Sequence, residues 1–181
     1  MTETTTVAVE DAPTTLTPAE RAARLARAET LVKDHMLMSA AVGLVPAPVV
    51  DVLGGIGIQV ALVKRLANLY GVPFSHAAVR GIVTSLIGSL GVGALATGVW
   101  SAMKFLPVLG GAVGAVSMPI ALAAVTYAIG KLFVAHFEVG GTLADFNVAA
   151  KRPYFRELLQ RGRETASSMT GSAAAKDPAK S

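Results

Sequence analysis

The sequence contains no cysteine. This excludes a disulfide framework, thiolate metal ligation and a thiol nucleophile. Charge is also scarce, at 15% of 181 residues against about 25% in an ordinary soluble domain. Aromatic residues make up 6%, with a single Trp, so large rings cannot supply most of the core. What is abundant is apolar and small: 52% hydrophobic residues, 18 glycines and a mean hydropathy of +0.55. Wholesale disorder is excluded, and the composition points to a membrane rather than to a typical cytosolic enzyme.

The formal net charge of +4 is unevenly spread. Residues 1–20 hold Glu3, Glu10, Asp11 and Glu20 with no Lys or Arg. Basic residues follow in three groups: Arg21, Arg24, Arg27 and Lys33; Lys64, Arg65 and Arg80; and Lys151, Arg152, Arg156, Arg161 and Arg163. They flank apolar stretches and form no stripe, which reads as juxtamembrane charge and not as a nucleic-acid surface.

Residues 1–16 have no basic leader region and are expected to be a disordered acidic tail, neither signal nor transit peptide. Thr17-Pro18-Ala19-Glu20 is a capping box with Pro at the first helical position, so a helix should run to about residue 43. Leu25, Ala28, Val32 and Met36 share one face of it and the three arginines another. From Met36 to Val63 the only charge is Asp51, and Pro46-Ala47-Pro48 interrupts the run. This predicts a bent apolar segment, with Asp51 capping its second limb.

Gly81–Met103 is a run of 23 residues without charge, and after Lys104 comes a second run, Phe105–Gly130, of 26. Each exceeds the roughly 20 residues that span a bilayer, so the spans 81–103 and 105–130 are expected to form a transmembrane helical hairpin turning at Lys104. The basic flanks then place both termini in the cytoplasm of a bacterium, with the hairpin in the inner membrane. Gly140-Gly141 should end a helix, Thr142 should cap a short one, and Pro153 should open a last helix to about Arg161. The Ser- and Ala-rich residues 165–181 are expected to form a loose tail. The fold class is therefore all-α, one helical membrane domain over 17–164 between two tails.

Gly81, Ser85, Ser89, Gly93, Thr97 and Ser101 recur every fourth residue, with Gly111 and Gly114 opposite them in the second span. Such a ridge brings helix backbones close, within one hairpin or between copies. The glycine clusters are not phosphate loops: no G-x-x-x-x-G-K-[ST] occurs, and Gly130-Lys131 is followed by Leu132. His35, His76 and His136 lack partners at metal-site spacing. No catalytic, cofactor or metal site is expected.

Gly43-Leu44-Val45-Pro46-Ala47-Pro48-Val49-Val50-Asp51, the stretch from Gln59 to Tyr70-Gly71, the glycine-rich hairpin, and above all His136-Phe137-Glu138-Val139-Gly140-Gly141-Thr142-Leu143-Ala144-Asp145-Phe146 resemble domain-of-unknown-function family 697. These are the YcjF-like, GTPase-associated bacterial membrane proteins, and the resemblance covers about residues 35–160. It implies a helical, membrane-associated protein whose GTPase, absent from this chain, acts in trans, and it transfers no catalytic residue. Pro46, Pro48, Asp51, Gly140 and Gly141 are expected as structural turns and caps.

The expected function is a non-enzymatic membrane anchor or adaptor for a partner protein. Arg21, Arg24, Arg27, Arg152, Tyr154, Phe155 and Arg156 are its candidate partner or lipid contacts, because aromatic and Arg side chains dominate interface energies. Two alternatives stand: a self-assembling remodeller or pore built on the small-residue ridge, and a soluble oligomer that buries its apolar hairpin. The lipid bilayer and other copies of the chain are the remaining expected partners.

Overall fold

The computed structural model describes residues 16–43, 50–90 and 110–175. They form five helices and, among the described residues, no strand: α1 (Pro18–Gly43), α2 (Val50–Tyr70), α3 (His76–Gly88), α4 (Gly110–Glu138) and α5 (Val148–Ala175). The all-α class is as expected. The acidic segment 1–15, Pro46, Pro48, Gly93, Thr97, Ser101, the turn at Lys104 and residues 176–181 lie outside the described residues.

The capping box opens α1. The Thr17 amide and hydroxyl both donate to Glu20, at 2.7 and 2.8 Å, and the Glu20 amide donates back to the Thr17 hydroxyl. These bonds to its charged form hold the Glu20 carboxyl below its ordinary range. Ala28, Val32 and Met36 are buried, but Leu25, assigned to the same face, is 40% exposed. It lies near the start of α1, where neighbouring helices cover less of the stripe. α2 begins at Val50, so Asp51 sits inside its first turn and not before it.

α4 is the axis of the bundle and packs against α1, α2 and α5. α1 runs antiparallel to it, with Arg24 beside Glu138, Ser39 beside Thr126 and Gly43 beside Pro119. At Gly130 an added Cβ would lie 2.6 Å from Val32 and 3.1 Å from Leu62, so the absent side chain lets three helices meet there. At Gly162 a Cβ would lie 2.7 Å from the Ala124 carbonyl, which draws α5 onto α4. Phe133, Phe155, Leu62, Leu66, Leu86, Ile129 and Leu132 are fully buried around this axis. Each contributes roughly 1.5–3 kcal/mol by leaving water.

Three boundaries differ from the sequence reading. α3 ends at Gly88, within the first expected span, with Ser89 as its cap. α4 ends just before Gly140-Gly141, as read from the sequence, and holds Lys131 inside it, the ammonium paired with Glu29 of α1 and set over the Tyr127 ring. α5 starts at Val148, where Asn147 accepts from the Ala150 amide at 3.1 Å, and it runs on to Ala175 with Pro153 inside it. Residues 165–169 therefore belong to a packed helix, with Ala166 buried and Met169 against the core. No short helix follows Thr142; residues 143–145 form a bend.

Candidate functional site

Two of the strings that carried the family resemblance, Gln59 to Gly71 and His136 to Phe146, meet at one end of the bundle, where α1 begins, α2 ends and α4 ends. Tyr70 donates from its hydroxyl to Glu138 Oε1 at 2.6 Å, while Arg24 reaches Glu138 Oε2 at 3.6 Å and lies over the Tyr70 ring at 4.5 Å. Burial and the Glu138 carboxylate push the Tyr70 phenol up. It therefore remains a neutral donor across the physiological range. Arg24 Nε is buried without a hydrogen-bond partner. Tyr70 also packs its ring 5.7 Å from Phe137.

One residue away, the turn after α4 is locked from inside. Gly140 takes φ +80°, a left-handed conformation, and its amide donates to the Phe137 carbonyl at 3.0 Å. A side chain at Gly141 would collide with the His136 ring. His136, 6% exposed, places Nε2 2.8 Å from the Thr142 carbonyl and 3.3 Å from Asp145 Oδ1. Thr142 donates to the same Asp145 oxygen from its amide at 2.6 Å and from its hydroxyl at 3.0 Å. These bonds, with a smaller contribution from His136, hold the Asp145 carboxyl below its ordinary range. Phe146 then stacks on Phe133 at 4.7 Å and meets His136 edge-on.

His136 and Asp145 resemble half of a catalytic relay, but the geometry is that of a clamp. The Nε2 atom is engaged by a backbone carbonyl, and the Thr142 hydroxyl is turned to the carboxylate. Among the described residues, no three His, Asp or Glu side chains are grouped so as to hold a metal ion. His136 and Glu138 diverge, His136 to the turn and Glu138 to Tyr70 and Arg24.

Between α1, the α2–α3 loop and the end of α4 lies an open cleft of about 480 Å³. Arg21, Arg24, Tyr70, Val72, Phe137 and Glu138 are among its walls, and Leu16, the first described residue, is another. The sequence offered no local signal for it, since its parts come from positions 16–24, 70–73 and 137–142.

The other expected site residues are dispersed. Gly81 and Ser85 are exposed on α3, with open space beside Gly81. Ser89 caps α3 and donates to the Leu86 carbonyl at 2.6 Å. Gly111 and Gly114 lie at the start of α4. Of the proposed contacts, Arg21, Arg27, Arg152 and Tyr154 are exposed, and Arg156 reaches the Ser89 carbonyl at 3.4 Å. Phe155 is fully buried and belongs to the core, so it offers no exposed contact. Arg24 likewise spends its charge on Glu138.

Along α1 and α4 charge separates the two ends, whereas α5 keeps Arg161, Arg163 and Glu164 exposed around Gly162, which lies against Ala124. Toward the Gly43 and Pro119 end, α1 carries no charge after Asp34 and α4 none before Lys131. Leu37 and Met38 are 53% and 52% exposed there. By length and composition, one helical stretch among the described residues, Met118–Glu138, is long and apolar enough to cross a membrane, yet 56% of its apolar window is buried inside the bundle.

The model of a family described as "Domain of unknown function (DUF697)" matches residues 17–164. The chain is also similar to magnetosome membrane protein 22 of Magnetospirillum gryphiswaldense, with 35% identity over 158 residues, covering 86% of this chain and 81% of that protein. No solved structure matches.

Proposed function

The chain belongs to the DUF697 family, and from that premise we propose that it is a non-enzymatic membrane-anchored adaptor of the bacterial inner membrane. The observation that carries this reading is the partition of charge along α1 and α4. One end of this pair holds Arg21, Arg24 and Glu138; the other exposes Leu37 and Met38 and is bordered by charge-free sequence, while α5 keeps Arg161, Arg163 and Glu164 exposed about Gly162, at the level of Ala124. The relative's name places that protein in a membrane, which supports the same assignment here.

In this reading the hairpin spans 81–103 and 105–130 are shared between bilayer and bundle. Val79, Ile82, Val83 and Leu86 of α3 are buried in the bundle, as are Ala123, Ala124, Ala128 and Ile129 of α4. What remains around Lys104 is 13 residues on each side, 91–103 and 105–117. As helix that is about 20 Å each, short of a hydrocarbon core of about 30 Å. The charge-free ends of α1 and α4, with Leu37 and Met38, make up the difference by meeting the membrane. The charged end and the N-terminus face the cytoplasm, where a partner protein docks, while α5 runs antiparallel to α4 with Gly162 against Ala124 and carries the chain back toward the other end; a GTPase acting in trans is the class the family resemblance implies. A carbonate-washed membrane pellet should retain the protein, and cross-linking in native membranes should capture a cytoplasmic partner. Release by carbonate would overturn the anchor, and cross-links to copies of the chain alone would overturn the adaptor.

One observation favours a second reading, self-assembly into a remodelling or pore-forming oligomer. The described start of the small-residue ridge, Gly81 and Ser85, faces away from the bundle core and is open, as a face meeting another copy would be. Under that reading Ser89→Leu or Gly93→Leu abolishes oligomers in lipid; under the first reading the oligomers, if formed, are indifferent to both.

A further inference from the structure

The cleft at the charged end has donors without acceptors. The Arg21 guanidinium meets no partner among the described residues, and Arg24 Nε is buried unpaired although its other nitrogens face Glu138 and Tyr70. Glu138 accepts from Tyr70 through one oxygen and faces Arg24 with the other, and the Thr142 donors are spent on Asp145. Apolar side chains, Val72, Pro73, Phe137 and Leu16, line part of the same cleft. Such a cleft suits an extended segment that carries carboxylates next to aliphatic side chains.

The chain supplies one. Immediately before Leu16, residues 1–15 carry the apolar block Val7-Ala8-Val9 followed by Glu10-Asp11, with Glu3 upstream and no Lys or Arg. Asp11 is five residues from Leu16, a reach of up to about 17 Å. Arg21 lies only four residues beyond Thr17, about 6 Å along α1. A turn through Ala12-Pro13-Thr14-Thr15 can therefore bring Glu10 and Asp11 back over the two arginines.

We propose that residues 1–15 dock in this cleft of their own chain, with Glu10 and Asp11 on Arg21 and Arg24 and the Val7–Val9 stretch against the apolar wall. The tether makes the contact intramolecular, at an effective concentration in the millimolar range. The occupied cleft is then closed to other acidic segments until one outcompetes it. This inference is independent of the membrane reading, since it concerns the end of the bundle away from the charge-free face.

The test uses the full chain in lipid nanodiscs and a fluorescent peptide of residues 1–15 as the probe. With Glu10→Lys and Asp11→Lys combined, the chain's own segment is repelled and the cleft is freed. The peptide should then bind at least about tenfold more tightly than to the unaltered chain, because the tethered competitor is gone, and the gain should shrink as salt rises. Adding Arg21→Gln, at an exposed side chain, should remove that gain without unfolding the bundle. In this cysteine-free chain, Ala12→Cys with Val72→Cys should form a disulfide within one chain and not between chains. Equal peptide binding to both proteins, no binding to either, indifference to Arg21→Gln, or disulfides only between chains would each overturn the proposal.

Discussion

Where α1 begins and α4 ends, Arg24, Tyr70 and Glu138 join three helices, and His136, Thr142 and Asp145 lock the turn that follows. Where α1 ends and α4 passes Pro119, the helices are held by small residues and one buried hydroxyl pair, Ser39 with Thr126 at 2.7 Å. The first end is organised by directional bonds that work in water. The second relies on close backbone approach and leaves Leu37 and Met38 half exposed. A bundle wholly in water would gain by covering those side chains, and one wholly in lipid would not keep Arg24, Glu29, Lys131 and Glu138 along its length. The difference between the ends is what the proposed seat at a membrane surface requires.

That comparison can be broken from either end. The largest effect is expected from Phe133→Ala, which empties a fully buried site stacked on Phe146. It should cost about 3–5 kcal/mol in denaturant unfolding and loosen the charged end first. Glu138→Gln should cost less, about 1–3 kcal/mol, because Arg24 loses its ion-pair partner while the Tyr70 hydroxyl keeps an acceptor. The Tyr70 phenol, relieved of the carboxylate, should titrate closer to its ordinary range in an absorbance titration. Ser39→Ala, at the opposite end, should cost about 1 kcal/mol, since the Thr126 hydroxyl retains its bond to the Leu122 carbonyl at 3.0 Å.

The smallest effect is one of pH. Asp145 has a folded pKa below its ordinary 3.8, so its contribution is fully present above that value and lost as the pH falls through the lowered one. The Thr142 amide resonance should therefore stay unchanged on acidification to about pH 4 and move only below it. Asp145→Asn should abolish that acid transition and leave the Ser39–Thr126 end untouched.

Parts of this were legible from the residues in order. The capping box fixes the start of α1 because its bonds are local, and Gly140-Gly141 marks the end of α4 because a left-handed turn there favours glycine. Asn147 was as local a signal for the start of α5, but Pro153 masked it, since proline is commonest at a helix's first position. The far end of α5 was hidden differently. Its Ser- and Ala-rich sequence looks loose, yet small side chains after Gly162 are what allow it to lie against α4. The Arg24–Tyr70–Glu138 site had no local signal at all, because its members are separated by 46 and 68 positions and meet only through helix packing.

The account rests on the two ends facing different media, and a chain without cysteine allows this to be measured without background. Single cysteines at Leu37, Met38, Val139 and Tyr154, all exposed in the isolated chain, can be labelled in sealed native membranes with a membrane-impermeant maleimide. The account predicts that Val139→Cys and Tyr154→Cys react from the cytoplasmic side, while Leu37→Cys and Met38→Cys are protected until detergent is added. Equal labelling of all four before detergent would contradict it.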